Sequence, residues 1–235
     1  MIGSLMYLAV WTRPDIAERC SRLGQFAHNP ALEHQSSIRN VFPYLSGTPD
    51  LGLCFTRDSP PGLEVHSLNF VGYSDASYAE DLHDRKSTSG YLFKLGGGAI
   101  SWKSRKQPVV TTSSTEAEYI AYSFAAKEAV WLRQLLHELF IDSPDVGTVV
   151  IYGDNKPAMA LTINPEHHQR TKHIGVQWHY VREQVKKGLV TLRYLPTGEM
   201  PADGLTKPLV GVRFARFIEL LGLATSPSAI TASRA

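Results

Sequence analysis

The first 49 residues carry the apolar spacing of short helices, and prolines interrupt it. The segment SLMYLAVWT is apolar and ends before Pro14, because proline cannot continue a helix. The next segment, DIAERCSRLGQFAHN, has Asp15 as a predicted N-cap and an amphipathic spacing. A third, EHQSSIRNVFPYLSGT, contains Pro43, which should kink or end its helix. The pattern predicts a helical N-terminal region, and the turn-rich stretch at 50–69 predicts a domain boundary.

Beyond this boundary the pattern changes to strands that alternate with helices. NFVGYSDASYA predicts a strand, and TSGYLFKLGGGAISWKSRKQPVVTTSS predicts two or three strands with a glycine turn. A long helix is predicted at 114–140, and GTVVIYGD has the continuous apolar run of a buried strand. NKPAMALTIN and HIGVQWHYVREQVKKG predict helices, the first capped near Asn155 and the second ended by Gly188. With the strand LVTLRYLPT and a partly helical PADGLTKPLVGVRFARFIELLGL, the alternation predicts a mixed sheet covered by helices.

Composition sets only wide limits on function. The chain has 235 residues, 43% of them hydrophobic and 20% charged, which suffices for one large domain with an extension. The net charge of +2 does not by itself indicate a nucleic-acid partner. Cys20 and Cys54 are too few for a disulfide framework. No secretory signal is evident and no stretch approaches the ~20 apolar residues of a membrane span, so we expect a soluble intracellular protein of the cytoplasm or nucleus.

Carboxylates follow three of the predicted strands. Asp75 lies in VGYSDAS, Asp154 in VVIYGDNK and Asp203 in YLPTGEMPADGLTK. Strand ends in α/β sheets are ligand-binding positions, although aspartate is also a common turn and cap residue. The long helix opens with Glu116 and Glu118, and the helix dipole favours acids in a first turn. Four carboxylates share a site only when a cation neutralises them, and Mg²⁺ and Mn²⁺ prefer carboxylate and water oxygens.

Five segments together resemble the ribonuclease H domain of copia-type retrotransposon polyproteins. They stand in matching order over roughly 67–210: VGYSDASYAEDLHDRKSTSGYLFKLGGGAISWKSRKQPVVTTSSTEAEYIA, IYGDNKPAMAL, RTKHI, WHYVREQVKKG and PADGLTKPL. Residues 1–55, with SLMYLAVWTRPDIA and YLSGTPDLGL, resemble the segment that joins reverse transcriptase to that domain. The resemblance implies an α/β ribonuclease H-like fold, a mixed five-stranded sheet flanked by helices, with an N-terminal helical extension.

The resemblance also implies a set of catalytic, metal-binding carboxylates: Asp75, Glu118, Asp154 and Asp203. The family's catalytic glutamate precedes two apolar residues and an alanine, which AEYIA matches at Glu118. Glu116 lies ~200° away around the helix, so both glutamates cannot point at one metal pair. The implied reaction is cleavage of the RNA strand of an RNA–DNA hybrid by two Mg²⁺ ions, for which Mn²⁺ can substitute.

Two basic clusters are candidates for contact with the hybrid. SWKSRKQ supplies an aromatic residue and three cations, and RTKHI supplies a second patch, so the candidates are Trp102, Lys103, Arg105, Lys106, Arg170, Lys172 and His173. A lysine-protected strand edge and a core position for Trp102 are open alternatives. Many cellular ribonucleases H carry a histidine before the last aspartate; LPTGEMPAD has none, and His173 is the nearest candidate for a functional histidine.

The domain prediction places a helical connection segment at 1–66, after a reverse transcriptase domain supplied elsewhere. The ribonuclease H-like domain follows at 67–223, and the small, polar tail at 224–235 is predicted to be disordered. No polymerase activity is expected from this chain. The alternative to an endoribonuclease is a non-catalytic retroelement fragment that keeps the fold and at most binds nucleic acid. The position of the long helix disfavours an integrase or resolvase of the same fold.

Overall fold

The computed structural model describes residues 1–55, 70–139, 147–163 and 175–225. The helices are α1 Ile2–Trp11, α2 Ala17–Gly24, α3 Leu32–Arg39, α4 Val41–Gly47, α5 Ser114–Leu139, α6 Lys156–Ile163, α7 Gly175–Lys186 and α8 Gly211–Leu221. The strands are β1 Gly52–Leu53, β2 Val71–Ser77, β3 Thr88–Leu95, β4 Gly98–Lys106, β5 Val149–Gly153, β6 Val190–Tyr194 and β7 Leu223–Ala224. Within these ranges, no helix is long and apolar enough to cross a membrane.

A mixed five-stranded sheet forms the centre of the molecule, with the strand order β4-β3-β2-β5-β6. β2, β3 and β4 pair antiparallel as a meander, while β5 and β6 run parallel to β2. The hairpin between β3 and β4 turns at Gly96 and Gly97, which both have the positive φ that glycine adopts without a steric penalty. This arrangement, with helices on the sheet, confirms the predicted ribonuclease H-like fold.

Helix α5 covers one face of the sheet, within the bounds that the sequence predicts. The Ser113 hydroxyl accepts a hydrogen bond from the Glu116 backbone N–H (3.2 Å), which satisfies one donor of the helix N-terminus. Three alanines, at 117, 121 and 125, are at most 1% exposed on the buried side of α5. Their small side chains let the helix axis approach the sheet closely, which places the first two turns of α5 beside the end of β2.

The opposite face of the sheet is covered by the N-terminal region together with α8. Leu5 and Ala9 of α1 share a buried core with Leu92 of β3 and Phe217 of α8. The indole N–H of Trp102 donates to the Ala9 carbonyl (2.6 Å), which ties β4 to α1. Residues 1–55 therefore contribute a layer of side chains to the core beneath the sheet.

A short antiparallel pair closes this layer. β1 pairs with β7, with Gly52 opposite Ala224 and Leu53 opposite Leu223. Gly222 has a positive φ, and a Cβ there would lie 2.5 Å from the Gly97 carbonyl oxygen, so the chain needs glycine at this point. The predicted boundary at 66/67 lies outside the described residues, as do residues 226–235 of the predicted tail.

One predicted cap is wrong. Asp15 does not cap a helix: it lies in a 3₁₀ turn, Pro14–Ile16, and α2 begins only at Ala17. Its carboxylate is buried and forms an ion pair with the Arg13 guanidinium (2.8 Å). The Tyr44 hydroxyl donates to the same carboxylate, which links α4 to the turn. A buried carboxylate needs such partners. Asp15 therefore pairs with Arg13, two residues before it, instead of accepting hydrogen bonds from the backbone N–H groups of a helix.

Candidate active site

Three of the predicted carboxylates meet at one edge of the sheet. Asp75 lies near the end of the central strand β2, and Asp154 directly follows β5, which runs parallel beside it. Glu118 reaches them from the second turn of α5. One oxygen atom from each of the three carboxylates lies within 4.8 Å of the others. Because β2 and β5 are parallel neighbours, their carboxyl ends bring the aspartates together at the same edge.

Close packing of α5 on β2 positions Glu118. Ala117 and Ala121 pack against Ala76, the residue after Asp75, in a small buried cluster. The Glu118 carboxylate accepts a hydrogen bond from the Ala76 backbone N–H. The glutamate is therefore held from both sides, by its helix and by the strand that carries Asp75.

Asp203 approaches the site from the face opposite α5. It lies in a 3₁₀ turn, Pro201–Leu205, that packs directly on β3 at Gly90, the register partner of Asp75. A Cβ at Gly90 would lie 2.8 Å from the Leu205 Cβ, so glycine at this position allows the close approach. The turn brings Asp203 close enough to raise the pKa of Asp75 electrostatically, although burial is the larger cause.

Two cations hold the Asp203 carboxylate. Lys207 Nζ lies 2.5 Å from Oδ1, and Arg213 Nη2 lies 2.9 Å from Oδ2. Lys207 Nζ also lies 3.7 Å from Asp75 Oδ2, and the Thr206 hydroxyl donates a hydrogen bond to the same carboxylate. Asp203 is not one of the three residues whose oxygens lie within 4.8 Å of one another.

Burial and mutual repulsion make the acidic site costly to ionise. Burial first, and then the charges of Asp75 and Asp154, raise the pKa of Glu118 well above its ordinary value. Burial also raises the pKa of Asp75, against the opposing effects of Lys207 and Thr206. Burial alone would lower the pKa of Lys207, but the carboxylates, Asp75 foremost, raise it above its usual range. The site therefore favours the addition of positive charge.

One sequence comparison covers nearly the whole chain. The Pol polyprotein of transposon TNT 1-94 from Nicotiana tabacum is 41% identical over 222 residues, which make up 94% of this chain and 16% of that polyprotein. The chain is homologous to a region of copia-type retrotransposon Pol polyproteins. It spans about a sixth of the length of that curated relative.

Other comparisons cover smaller parts of the chain. Secreted RxLR effector protein 161 of Plasmopara viticola is 50% identical over 131 residues, 56% of this chain and 87% of that protein. A ribonuclease H1 crystallised with an RNA/DNA hybrid has a TM-score of 0.42 and 13% identity, over 58% of this chain and 93% of that one. No family model matches the chain.

The two glutamates of α5 have different surroundings in this Pol homologue. Glu118 joins Asp75 and Asp154, while the Glu116 side chain turns back to Thr112, whose backbone N–H and hydroxyl (2.9 Å) donate to it. Glu116 is only 2% exposed, so it is more than a surface acid near the helix dipole. The catalytic role of Glu118 stays a prediction, and the contacts of Glu116 are those of a capping residue.

Several residues around the carboxylates were not identified from the sequence. They are Thr197, whose hydroxyl donates to Asp154 Oδ2 (2.6 Å), and Thr206, Lys207 and Arg213 on the side of Asp203. The i,i+4 spacing of Asp203 and Lys207 in PADGLTK was the one available signal, since such a pair meets on a helical turn. Tyr122 packs against Gly153, where a Cβ would clash with its hydroxyl.

The predicted nucleic-acid contacts lie on the two faces of β4 and in a segment outside the described residues. Trp102 packs on α1, and Lys106 binds Asp81 (2.5 Å) and Asp84 (2.9 Å), so both already have protein partners. Lys103 and Arg105 are exposed on the face of the sheet that α5 covers. The other three candidates, Arg170, Lys172 and His173, lie outside the described residues.

Proposed function

We propose that this chain hydrolyses the RNA strand of RNA–DNA hybrids with the help of divalent metal ions. The observation that carries the proposal is the convergence of Asp75, Glu118 and Asp154 at the edge of a ribonuclease H-like sheet. Homology to Pol polyproteins supports it, although the chain spans only about a sixth of the curated polyprotein. The duplex substrate, its RNA strand as the target and the intracellular location all belong to the proposal.

The residues present fit divalent metal ions. The converging ligand atoms are carboxylate oxygens, which are the donors that Mg²⁺ and Mn²⁺ prefer. Burial and repulsion raise the pKa values of Asp75 and Glu118, so a bound cation would relieve an existing electrostatic cost. Asp75, Glu118 and Asp154 would hold the metal. Two Mg²⁺ ions, or Mn²⁺ in their place, would supply activation of water and stabilisation of the leaving oxygen.

The protein's own groups would orient the site. The Ala76 N–H fixes Glu118, the Thr197 hydroxyl fixes Asp154, and the Thr206 hydroxyl fixes Asp75. Each of these three carboxylates has one oxygen in the cluster and accepts a hydrogen bond from a neighbouring group. Hydrogen bonds of this kind keep metal ligands in productive orientations. Each Asp203 oxygen already has one cation contact, so Asp203 would complete the set through its remaining lone pairs.

A non-catalytic fragment that binds nucleic acid is the second candidate. The observation that favours it is that both Asp203 oxygens are already engaged by cations. In that case the chain would bind the hybrid without cleaving it. A reverse transcriptase domain supplied elsewhere is a proposed partner in either case, and we propose no polymerase activity for this chain.

One assay separates the two candidates. The full chain is incubated with Mg²⁺ and a hybrid labelled on its RNA strand, and in parallel with the same sequence as duplex DNA and as duplex RNA. We expect cleavage of the hybrid alone, lost in EDTA and in Asp75→Asn. Binding of the hybrid without cleavage by the folded parent protein would exclude the enzyme and leave the non-catalytic fragment.

A further inference from the structure

A small pocket opens between β4 and α5, on the edge of the sheet. It has a volume of about 150 Å³ and is lined by Ser89, Tyr91, Lys103, Arg105, Phe124 and Lys127. Two aromatic side chains, of Tyr91 and Phe124, form its partly buried floor, and three exposed cations form its rim. The pocket takes residues from two strands and a helix, so its shape follows from the packing of α5 on the sheet.

Within the described ranges, the three cations of this pocket have no ion-pair partner. Among the described residues, no carboxylate oxygen lies within 4.0 Å of Lys103, Arg105 or Lys127. The nearby carboxylate of Glu128 instead accepts a hydrogen bond from the Ser101 hydroxyl (2.7 Å). By contrast, Lys106, the next cation along β4, forms ion pairs with two aspartates.

Aromatic rings hold two of the cations in place. The Arg105 guanidinium carbon lies 5.5 Å from the centre of the Phe124 ring, and Lys127 Nζ lies 5.6 Å from the centre of the Tyr180 ring. Such cation–π contacts orient a cation without neutralising its charge. Arg105 thus keeps its planar set of N–H donors for an external oxyanion, the group that guanidinium binds most specifically.

The strand register fixes the position of this pocket relative to the carboxylates. Ala76, whose N–H binds Glu118, pairs with Ser89, and Ser89 pairs with Arg105 on the next strand. Two strand spacings amount to ~10 Å. Ala76 and Arg105 both contact α5, so the pocket and the base of the acidic site share one side of the sheet.

We propose that Lys103, Arg105 and Lys127 form a site for a backbone phosphate of a nucleic-acid duplex. The inference rests on the proposed function in taking that duplex to be the chain's substrate. The phosphate bound here lies two strand spacings, ~10 Å, from the strand that carries Asp75. Contacts of this kind position a duplex without reading its sequence.

The test measures binding without hydrolysis. The full chain, in EDTA, is titrated with a fluorescently labelled RNA–DNA hybrid at several salt concentrations, and anisotropy gives the Kd. The combined variant Lys103→Gln, Arg105→Gln, Lys127→Gln should bind more weakly, and the slope of log K against log salt should fall by about 1 for the lost phosphate contact. The matched control is Lys186→Gln, an exposed cation at the end of α7 that should change neither quantity.

Neutral backbone substitutions locate the contact. Each phosphate of the hybrid is replaced in turn by a methylphosphonate, which removes its charge. We expect one position to weaken binding of the parent protein and to have no further effect in the triple variant, since the two changes remove the same interaction. Arg105→Gln alone provides the same comparison if the triple variant does not unfold cooperatively.

The outcomes separate this inference from the proposed function. A parent protein that binds the hybrid through this pocket but never cleaves it would overturn the proposed function and leave the pocket standing. A protein that cleaves the hybrid, but whose triple variant binds with the parent's Kd and salt slope, would overturn the pocket. Failure of the folded parent to bind any hybrid would overturn the pocket as well.

Discussion

The Lys207 ammonium lies between two carboxylates, 2.5 Å from Asp203 Oδ1 and 3.7 Å from Asp75 Oδ2. It therefore occupies the negative potential that a divalent cation would also occupy. Its side chain is 38% exposed, while those of the two aspartates are at most 5% exposed. A metal ion bound at the carboxylates would therefore compete with the lysine for the same negative charge, and the lysine has the solvent access to move aside.

We expect Lys207→Gln to bind Mg²⁺ more tightly than the parent, because the site loses a competing positive charge. The metal-free variant should be less stable by about 1–2 kcal/mol, the lower part of the range for a lost charged hydrogen bond, given the exposure of Lys207. Thermal unfolding with and without Mg²⁺ measures both effects, with Lys186→Gln as the control. An unchanged Mg²⁺-induced shift in Tm would show that Lys207 does not compete with the metal.

Asp75→Asn should abolish hydrolysis while the protein stays folded. Asp75 is 1% exposed and its pKa is raised chiefly by burial, so loss of its charge removes an unfavourable buried ionisation. The Mg²⁺-induced rise in Tm should be smaller in this variant than in the parent, because the ion binds only the folded site. Equal rises in the two proteins would contradict the assignment of Asp75 as a metal ligand.

The two glutamates of α5 should respond in opposite ways. Glu118→Gln should lose activity as completely as Asp75→Asn, since the ligand set acts as a unit. Glu116→Gln should keep most activity and lose roughly 1 kcal/mol of stability, because it weakens the contacts to Thr112 at the start of the helix. Initial rates of hybrid cleavage measure the activity of each variant, and urea unfolding measures its stability. The reverse ranking of activities would mean that Glu116, not Glu118, serves the site.

The metal-free protein should lose stability as the pH rises above the ordinary pKa of a glutamate. Burial, followed by the charges of Asp75 and Asp154, raises the folded-state pKa of Glu118, so the folded state holds this proton at a pH where the unfolded chain has released it. Stability therefore falls with increasing pH until the raised pKa is passed. Urea unfolding in EDTA over this pH range should show the decline, which Glu118→Gln should reduce and Glu138→Gln, an exposed change on the same helix, should not. A parent and a Glu118→Gln variant with identical pH profiles would contradict the raised pKa.

Deletion of residues 1–55 should destabilise the rest of the chain. The deletion uncovers Leu92, Phe217 and Leu221, which are at most 3% exposed and pack with the N-terminal helices. It also removes the strand partner of β7. We expect broad, non-cooperative thermal unfolding and binding of a hydrophobic dye. A truncated protein with the parent's sharp transition would show that the N-terminal region is dispensable.

The sequence predicts local structure and the convergence of three carboxylates well. It predicts less well on which face of the sheet a side chain lies and which residues that side chain contacts. The bounds of α5 and the cap at Asn155, whose Oδ1 accepts the Ala158 N–H (2.9 Å), follow from short-range spacing and capping chemistry. Alternation along β4 places Trp102 and Lys103 on opposite faces, but it does not say which face α1 covers. That choice depends on contacts 93 residues apart in the chain, which no local pattern encodes.

The cations around Asp203 were missed for a related reason. In the sequence, Lys207 and Arg213 look like ordinary basic residues after a turn. They contact Asp203 because the 3₁₀ turn that carries it packs on Gly90. Asp15 is the converse case, because its position before a helical segment resembled a cap until Arg13 and Tyr44 were seen to bind it. Short polar side chains serve several purposes, and tertiary packing decides among them.

The pairing of β1 with β7 bears on the order in which the chain can fold as it is synthesised. Cys54 and Ala224 are in contact although 170 residues separate them, and the core beneath the sheet combines α1 with α8. Contacts of such long range form slowly, because a long loop must close before they are made. The N-terminal helices leave the ribosome before the sheet does, whereas α8 and β7, which help to bury them, leave after it. During translation, part of their apolar surface therefore stays uncovered until α8 and β7 have emerged, and exposed surface of this kind favours aggregation.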